Sequence, residues 1–308
     1  METKRFKKMA SIHRTVLLNE VIEGLNLNPK SLVIDCTFGG GGHSLEMCKK
    51  YPGIKIIALD QDQSVFSAKG GLASGWEGCN ISFVNDNFRN IDKVLEKEGK
   101  REVDGIIFDL GLSSDQLENS GRGFSFLKDE PLLMTMKENP SRDTVTALDV
   151  VNTWSEKSLA DIIYGYGEEK YSRKIAKEIV DARQKAKIET TFDLVKIISK
   201  AVPGLYRRGR LHFATKTFQA IRIAVNDELG ALAEGLDEGF KLLKVGGKMT
   251  VISFHSLEDR ITKKFFKIME KEGRAILINK KPILASEKEV KNNIRSRSAK
   301  LRILEKRQ

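Results

Sequence analysis

Three aspartates stand where apolar runs end. Asp35 closes LVID, Asp60 closes KIIALD and Asp109 closes VDGIIFD, so each places a carboxylate at the carboxyl end of a strand patterned for burial on both faces. A carboxylate there can accept hydrogen bonds from ribose hydroxyls. After the first of them comes DCTFGGGGHS, with Gly39 to Gly42 followed by His43 and Ser44. Consecutive glycines let the backbone turn sharply and approach a ligand without Cβ interference, and the N–H groups that open the next helix can hold an anion. The dinucleotide fingerprint G-x-G-x-x-G is not met. Counting from Gly39 puts Ser44 at the third glycine position, and counting from Gly40 puts Leu45 there. A pyrophosphate is therefore a strained fit. S-adenosylmethionine (SAM), which has a ribose and a carboxylate but no phosphate, suits the loop and the acidic strand ends better.

The elements that must position these groups alternate. The spacing predicts a helix over 13–27, a strand over 32–35, a helix over 44–50, strands over 55–60 and 81–85, helices over 64–74 and 91–98, and a fourth strand over 103–110. Strands and helices at this pitch imply right-handed βαβ units and a parallel sheet, with the ligand beyond the carboxyl ends of the strands. Asp35, Asp60, Phe88 and Asp109 all fall at that rim. Residues 111–142 have no sustained period and read as a long functional loop. Helices are then expected over 143–153, 156–165, 169–185 and 191–202, an all-helical block inserted between strands four and five. From residue 206 the chain leads into one long helix whose Phe218, Ile221, Val225, Leu229, Leu232, Leu236, Phe240 and Leu243 form a core stripe, ended by Gly246 and Gly247. A fifth strand over 248–254, a helix from Ser256 to about 271, and closing strands over 275–279 and 300–306 complete seven strands. That count, with a final hairpin, matches the sheet of SAM-dependent methyltransferases better than that of a dehydrogenase.

The chain has 308 residues and a net charge of +11, with 40% hydrophobic and 31% charged residues. Such an excess of cations points to an anionic partner, nucleic acid first. No apolar run approaches the ~20 residues of a membrane span. The basic amino terminus lacks the apolar segment of a secretory signal, so a cytoplasmic protein is expected. Cys36, Cys48 and Cys79 are odd in number and lack C-x-x-C spacing, which argues against a disulfide framework and against zinc; all three are expected reduced and buried.

Taken together the motifs resemble the bacterial small-subunit ribosomal RNA (cytosine-N4)-methyltransferase family. The matching stretches are HRTVLLNEVIEGL from His13, DCTFGGGGHS from Asp35, DGIIFDLGLSSDQL from Asp104, RGFSF from Arg122, YGEEKYSRKIAKEIV from Tyr166, TKTFQAIRIAVNDEL from Thr215, SFHSLEDR from Ser253 and RSRSAKLR from Arg295. The resemblance implies a class I SAM-dependent methyltransferase: an α/β, Rossmann-like core with a seven-stranded, mostly parallel sheet and an inserted all-helical domain. It divides the chain into a core of 1–115 and 216–308 and an RNA-recognition insertion of 116–215. It also implies methylation of a cytidine N4 in the decoding region of 16S rRNA, on naked rRNA or on the small subunit; no metal and no membrane are expected. A monomer and a homodimer both stay open.

Carried over position by position, the family's cofactor contacts fall on Gly41, Gly42, His43, Asp60, Phe88, Asp109 and Gln116. The departures lie elsewhere: Leu133 and Thr135 in PLLMTM, Phe213 and Lys216 in HFATKTFQ, and Ile294 where a proline is usual. Asp109 is the best group to line the junction of cofactor and target amine, its alternative being a strand-end cap. His43 is expected to fix the cofactor rather than act as general base, His255 either to enter a helix or to touch substrate, and His212 to be structural or RNA-facing. Substrate RNA is assigned to Arg122, Phe124, Arg207, Arg208, Arg210, Lys216, His255, Arg295 and Arg297, with Phe124, Phe126 or Tyr166 as stacking partners for a splayed base. No cysteine follows a proline in a loop, as attack at C5 of a pyrimidine would need, and the zinc-deaminase elements are missing. An exocyclic amine remains as the target. Two other readings stay in play: a non-catalytic RNA-binding assembly factor retaining the fold, and a nicotinamide dehydrogenase.

Overall fold

The computed structural model describes residues 14–66, 76–141 and 143–308. In chain order the first half holds α1 (Leu18–Leu25), β1 (Leu32–Asp35), α2 (Gly42–Lys50), β2 (Lys55–Asp60), β3 (Asn80–Asn85), α3 (Ile91–Lys97), β4 (Val103–Asp109) and the short α4 (Ser114–Glu118). The helical stretch follows: α5 (Ala147–Thr153), α6 (Glu156–Gly165), α7 (Ser172–Arg183), α8 (Thr191–Ala201) and the single turn α9 (Gly204–Arg207). Then come α10 (Thr215–Asn226), α11 (Glu228–Leu242), β5 (Leu243–Ser253), α12 (Ser256–Lys271), β6 (Ala275–Leu277), β7 (Ile283–Leu284), α13 (Glu287–Asn292) and β8 (Lys300–Lys306).

The sheet runs β3-β2-β1-β4-β5-β8-β6, with β7 paired to β8 as well. Its first five strands are parallel, and β8 is antiparallel to β5, β6 and β7. After β1 the chain steps outward to β2 and β3, then returns to β4 on the other side of β1. That reversal opens a crevice above the carboxyl ends of β1 and β4, where Asp35 and Asp109 lie. The inner strands are apolar on both faces because helices cover both. Phe108, Phe240 and Leu236 pack on one side, and Leu17, Ile22 and Leu25 with Ile107 and Ile252 on the other. A separate hydrophobic cluster joins α5 to α8 with Leu132, Met134 and the start of α10. No helix among the described residues is long and apolar enough to cross a membrane.

Five expectations are corrected. The single long helix from residue 215 is two, because Asp227 adopts a left-handed conformation (φ 47°) that ends α10 and starts α11. Gly246 and Gly247 do not stop a helix: they lie inside β5, which starts at Leu243 and shifts register against β4 between Val103 and Gly105. The sheet has eight strands rather than seven, since the two-residue β7 is too short to leave a periodic signal. Cys48 and Cys79 are joined in a disulfide, Cα to Cα 5.7 Å, and only Cys36 is free. Their 31-residue separation says nothing of proximity; the fold sets the end of α2 beside the segment entering β3. The helix expected over 64–74 is a short 3-10 turn, Gln63–Phe66, and 67–75 lie outside the described residues, as does His13.

Candidate functional site

Asp35 is buried beneath the glycine loop, not open to the crevice. It accepts hydrogen bonds from Ser44 Oγ (2.7 Å) and Thr37 N (3.3 Å), tying β1 to the first turn of α2, and burial pushes its carboxyl up to about 6. Two of the glycines are required by protein neighbours. Gly41 sits at φ 71° before α2, and a Cβ on it would lie 2.7 Å from the Phe38 ring and 2.8 Å from Trp76. A Cβ on Gly42 would strike Thr15 Oγ1 at 1.7 Å. Gly39, Gly40 and Gly42 line the crevice, whereas Gly41 is turned towards the aromatic pair.

On the β2 side of the crevice lie Asp60, Gln61, Asn87, Phe88 and Gln116. The Asp60 carboxylate accepts Gly39 N and Asp62 N, both at 2.9 Å, so it ties the glycine loop to the end of β2. Burial pushes it up to about 7 despite those bonds. Phe88 stands edge-on to Phe108 at 5.5 Å. Gln116 is fixed at both ends of its amide: Oε1 accepts Ser113 N (3.0 Å) in the capping box of α4, and Nε2 donates to Asp62 Oδ2 (2.8 Å).

The opposite side is acidic. The Asp109 backbone N–H donates to Thr37 Oγ1 (2.6 Å), Oδ2 lies 3.7 Å from His43 Nδ1, and Oδ1 is buried without a hydrogen-bond partner. Burial, and then the neighbouring Asp35 and Glu258, hold its carboxyl well above the ordinary range. His43 is itself buried, with Nε2 3.2 Å from the Val16 carbonyl. Asn226, Glu228, Phe254, Glu258 and Arg295 complete this side. Burial opposes ionisation of Glu258, but the His255 side chain, the Phe254 N–H and Arg222 outweigh it and keep the carboxyl low. Glu228, His255 and Glu258 bring oxygen and nitrogen atoms within 4.8 Å of one another. Arg222 already holds both Glu228 oxygens at 2.8 Å, and Glu258 caps α12.

The residues assigned to RNA scatter. Arg122 and Phe124 are buried, not surface-facing: Arg122 forms an ion pair with the fully buried Asp62 and donates to the Met136 carbonyl (2.9 Å), while Phe124 joins the helical cluster. The reason is local, since an arginine can enter the core when a carboxylate and carbonyls meet it there. Phe126 is stacked on His212 at 4.4 Å and Tyr166 packs at the same cluster. His255 is the N-cap of α12. Lys216 Nζ donates to the Glu168 carbonyl (2.8 Å). Arg207, Arg208, Arg210 and Arg297 are exposed, and Arg295 lines the crevice with Glu118 2.7 Å away. Asp62, Asn226, Glu228 and Glu258 went unassigned in the sequence. The break at Asp227 that brings Asn226 and Glu228 to the crevice has no glycine or proline to announce it.

A five-strand parallel run closed by an antiparallel strand, a switch-point crevice, an acidic end to β2 and a glycine loop without the phosphate fingerprint define a class I methyltransferase, and the methyl donor of that class is SAM. Asp60, Phe88 and Gln116 present a carboxylate, a ring and an amide to the crevice, which fits a nucleoside donor. The chain belongs to the MraW methylase family, which matches residues 10–307. It is 43% identical to the ribosomal RNA small subunit methyltransferase H of Limosilactobacillus fermentum, over 96% of this chain and 98% of that one. It is 44% identical to the protein of that name from Clostridioides difficile, with the same coverage.

Proposed function

We propose that the protein transfers a methyl group from SAM to the exocyclic N4 of a cytidine in the decoding region of 16S rRNA, with 1–115 and 216–308 as the methyltransferase core and 116–215 as the RNA-recognition unit. The names of its relatives support ribosomal RNA of the small subunit as substrate, and the motif resemblance supports the cytidine N4. The observation that carries the chemistry is Asp109 Oδ1, a buried carboxyl oxygen with no partner at the crevice.

When bound, SAM supplies a methyl group on a positively charged sulfur. Asp60 offers its carboxylate to ribose hydroxyls, Phe88 a flat apolar surface to the adenine, and Gln116 its remaining amide N–H. The N4 of cytosine is a poor nucleophile because its lone pair is delocalised into the ring. Asp109, once ionised, accepts an N4–H and lets the nitrogen pyramidalise, so that its lone pair can attack as the sulfur leaves with the old C–S electrons. The proton given up by N4 passes to the Asp109 carboxylate, and from there to solvent. A cysteine-dependent C5 mechanism is poorly served. The sole free thiol, Cys36, is buried, and burial together with Asp35 pushes it well above the ordinary thiol range.

The test is to incubate small ribosomal subunits and naked 16S rRNA with the protein and methyl-labelled SAM, digest the RNA to nucleosides, and identify the labelled one by mass spectrometry. N4-methylcytidine is expected. Label in another nucleoside, or none, overturns the assignment.

A further inference from the structure

We infer that the outward face of α12 carries the phosphate backbone of the RNA whose target base enters the crevice, an inference that rests on the function proposed above. The helix starts at the crevice wall, where His255 and Glu258 form its capping box, and its 16 residues lead away for about 24 Å. Its buried face, Leu257, Thr262, Phe266 and Met269, packs on the core and fixes which side looks out. On the outward side stand Arg260, Lys263, Lys264, Lys267 and Lys271, stepping by three and four, so that all five share one stripe. Like charges at i,i+4 destabilise a helix, and three such pairs occur here: 260 with 264, 263 with 267, and 267 with 271. The arrangement works against the helix itself and is relieved by an anion lying along it.

The helix's own acids offset the stripe only at its far end, where Glu270 stands three residues from Lys267. Glu258 is buried, Asp259 is held by Arg302 and Lys300, and Glu270 lies near the far end. Arg260 is engaged by Glu168, a residue of the helical stretch held at φ 49°, whose carboxylate also accepts Ser256 Oγ (2.8 Å) and whose carbonyl accepts Lys216 Nζ. That contact joins the first turn of α12 to the loop before α7. Two residues on from Glu168, Lys170 lies over the rings of Tyr171 and Tyr206, next to the exposed Arg207 and Arg208. A line of cations thus runs from α9 past the crevice mouth and down α12. The apolar face of α12 is already used in the core, leaving Ile268 as its one exposed large apolar side chain, too little to insert into a bilayer, and a polyanion lying across the surface is the partner that fits.

The test compares full-length wild type with a Lys263→Ala, Lys264→Ala, Lys267→Ala variant for binding to small ribosomal subunits across a potassium chloride series. If all three lysines meet phosphate, the slope of log K against log salt flattens by about 2 and affinity at low salt falls by roughly ten- to a hundredfold. SAM affinity, measured by calorimetry, stays unchanged, and the triple Lys→Arg variant keeps the wild-type slope. A wild-type slope in the alanine variant overturns the inference, as does a loss of affinity without a change in slope, which would suit a protein patch rather than phosphate. If the wild type binds neither subunits nor 16S rRNA, the functional reading itself fails and this surface with it.

Discussion

His43 Nδ1 faces Asp109 Oδ2 at 3.7 Å while His43 Nε2 is held by the Val16 carbonyl at 3.2 Å. A carbonyl accepts only, so Nε2 carries a proton, and in the neutral ring Nδ1 turns a lone pair towards Asp109. The two side chains therefore sit together comfortably when one proton lies between them, as a protonated Asp109 or a doubly protonated His43. The same proton must leave if Asp109 is to accept one from substrate.

This relationship gives the first prediction. Since burial, Asp35 and Glu258 hold the Asp109 carboxyl high, turnover should climb as pH rises through its ionisation, and the sulfonium nearby should draw that ionisation down when SAM is bound. Asp109→Asn should lower kcat by about 10²- to 10⁴-fold and leave it flat with pH. Single-turnover rates against pH measure both; a variant within threefold of wild type would remove Asp109 from the chemistry.

Asp60 gives the second. Its carboxyl is raised from 3.8 to about 7, so the fold favours the protonated form. Its contribution to stability is full below about pH 4 and is lost as pH rises through 7. Binding a cation that prefers the ionised form releases a proton, so SAM affinity should increase over the same range. Asp60→Asn removes both dependences: its melting temperature should gain on wild type from pH 4 to pH 7. Asp60→Ala should weaken SAM binding by more than ~1 kcal/mol through a lost charge-assisted hydrogen bond. Calorimetry at several pH values would show a flat wild-type affinity if the ribose does not meet this carboxylate.

The parts of this molecule that were legible from sequence are those where one residue's type decides local geometry. Apolar runs ending in aspartate located β1, β2 and β4, and the glycines located the turn into α2. What stayed hidden depends on partners far along the chain. Arg122 reads as an RNA-facing cation until Asp62, 60 residues earlier, is found against it. Asp227 reads as one more polar position in a helix, since nothing in NDEL marks a left-handed residue. Cys48 and Cys79 read as two buried thiols, because pairing is a property of the packed layers and not of spacing.

The Asp62 and Arg122 pair supports the third prediction. Asp62 is fully buried and also accepts from Gln116 Nε2 and Ser64, while Arg122 reaches the Met136 carbonyl. Burial opposes the Asp62 charge, yet the bonds from Arg122, Ser64 and Gln116 keep its carboxyl low. Removing one member strands the other, so Asp62→Ala should cost about 3–5 kcal/mol in urea unfolding. Replacing both, as Asp62→Leu with Arg122→Met, should recover part of the loss. A single variant costing under ~1 kcal/mol would mean the pair does not join the end of β2 to the loop before α5.

The disulfide supports the fourth. Cys48 lies in the last turn of α2, and Cys79 lies three residues beyond Trp76, whose ring packs 5.6 Å from Phe38 and within reach of any side chain placed at Gly41. Closing a 31-residue loop stabilises a fold by about 3–4 kcal/mol in the chain-entropy account. Thiol titration of the denatured, unreduced protein should find one thiol, Cys36, and three after reduction. Reduction, or Cys48→Ser with Cys79→Ser, should lower the unfolding midpoint. It should also weaken SAM binding, because the Trp76 segment backs the glycine turn. Three free thiols before reduction would show the bond absent in solution. A lower midpoint with unchanged SAM affinity would confine the bond to stability and uncouple it from the glycine loop.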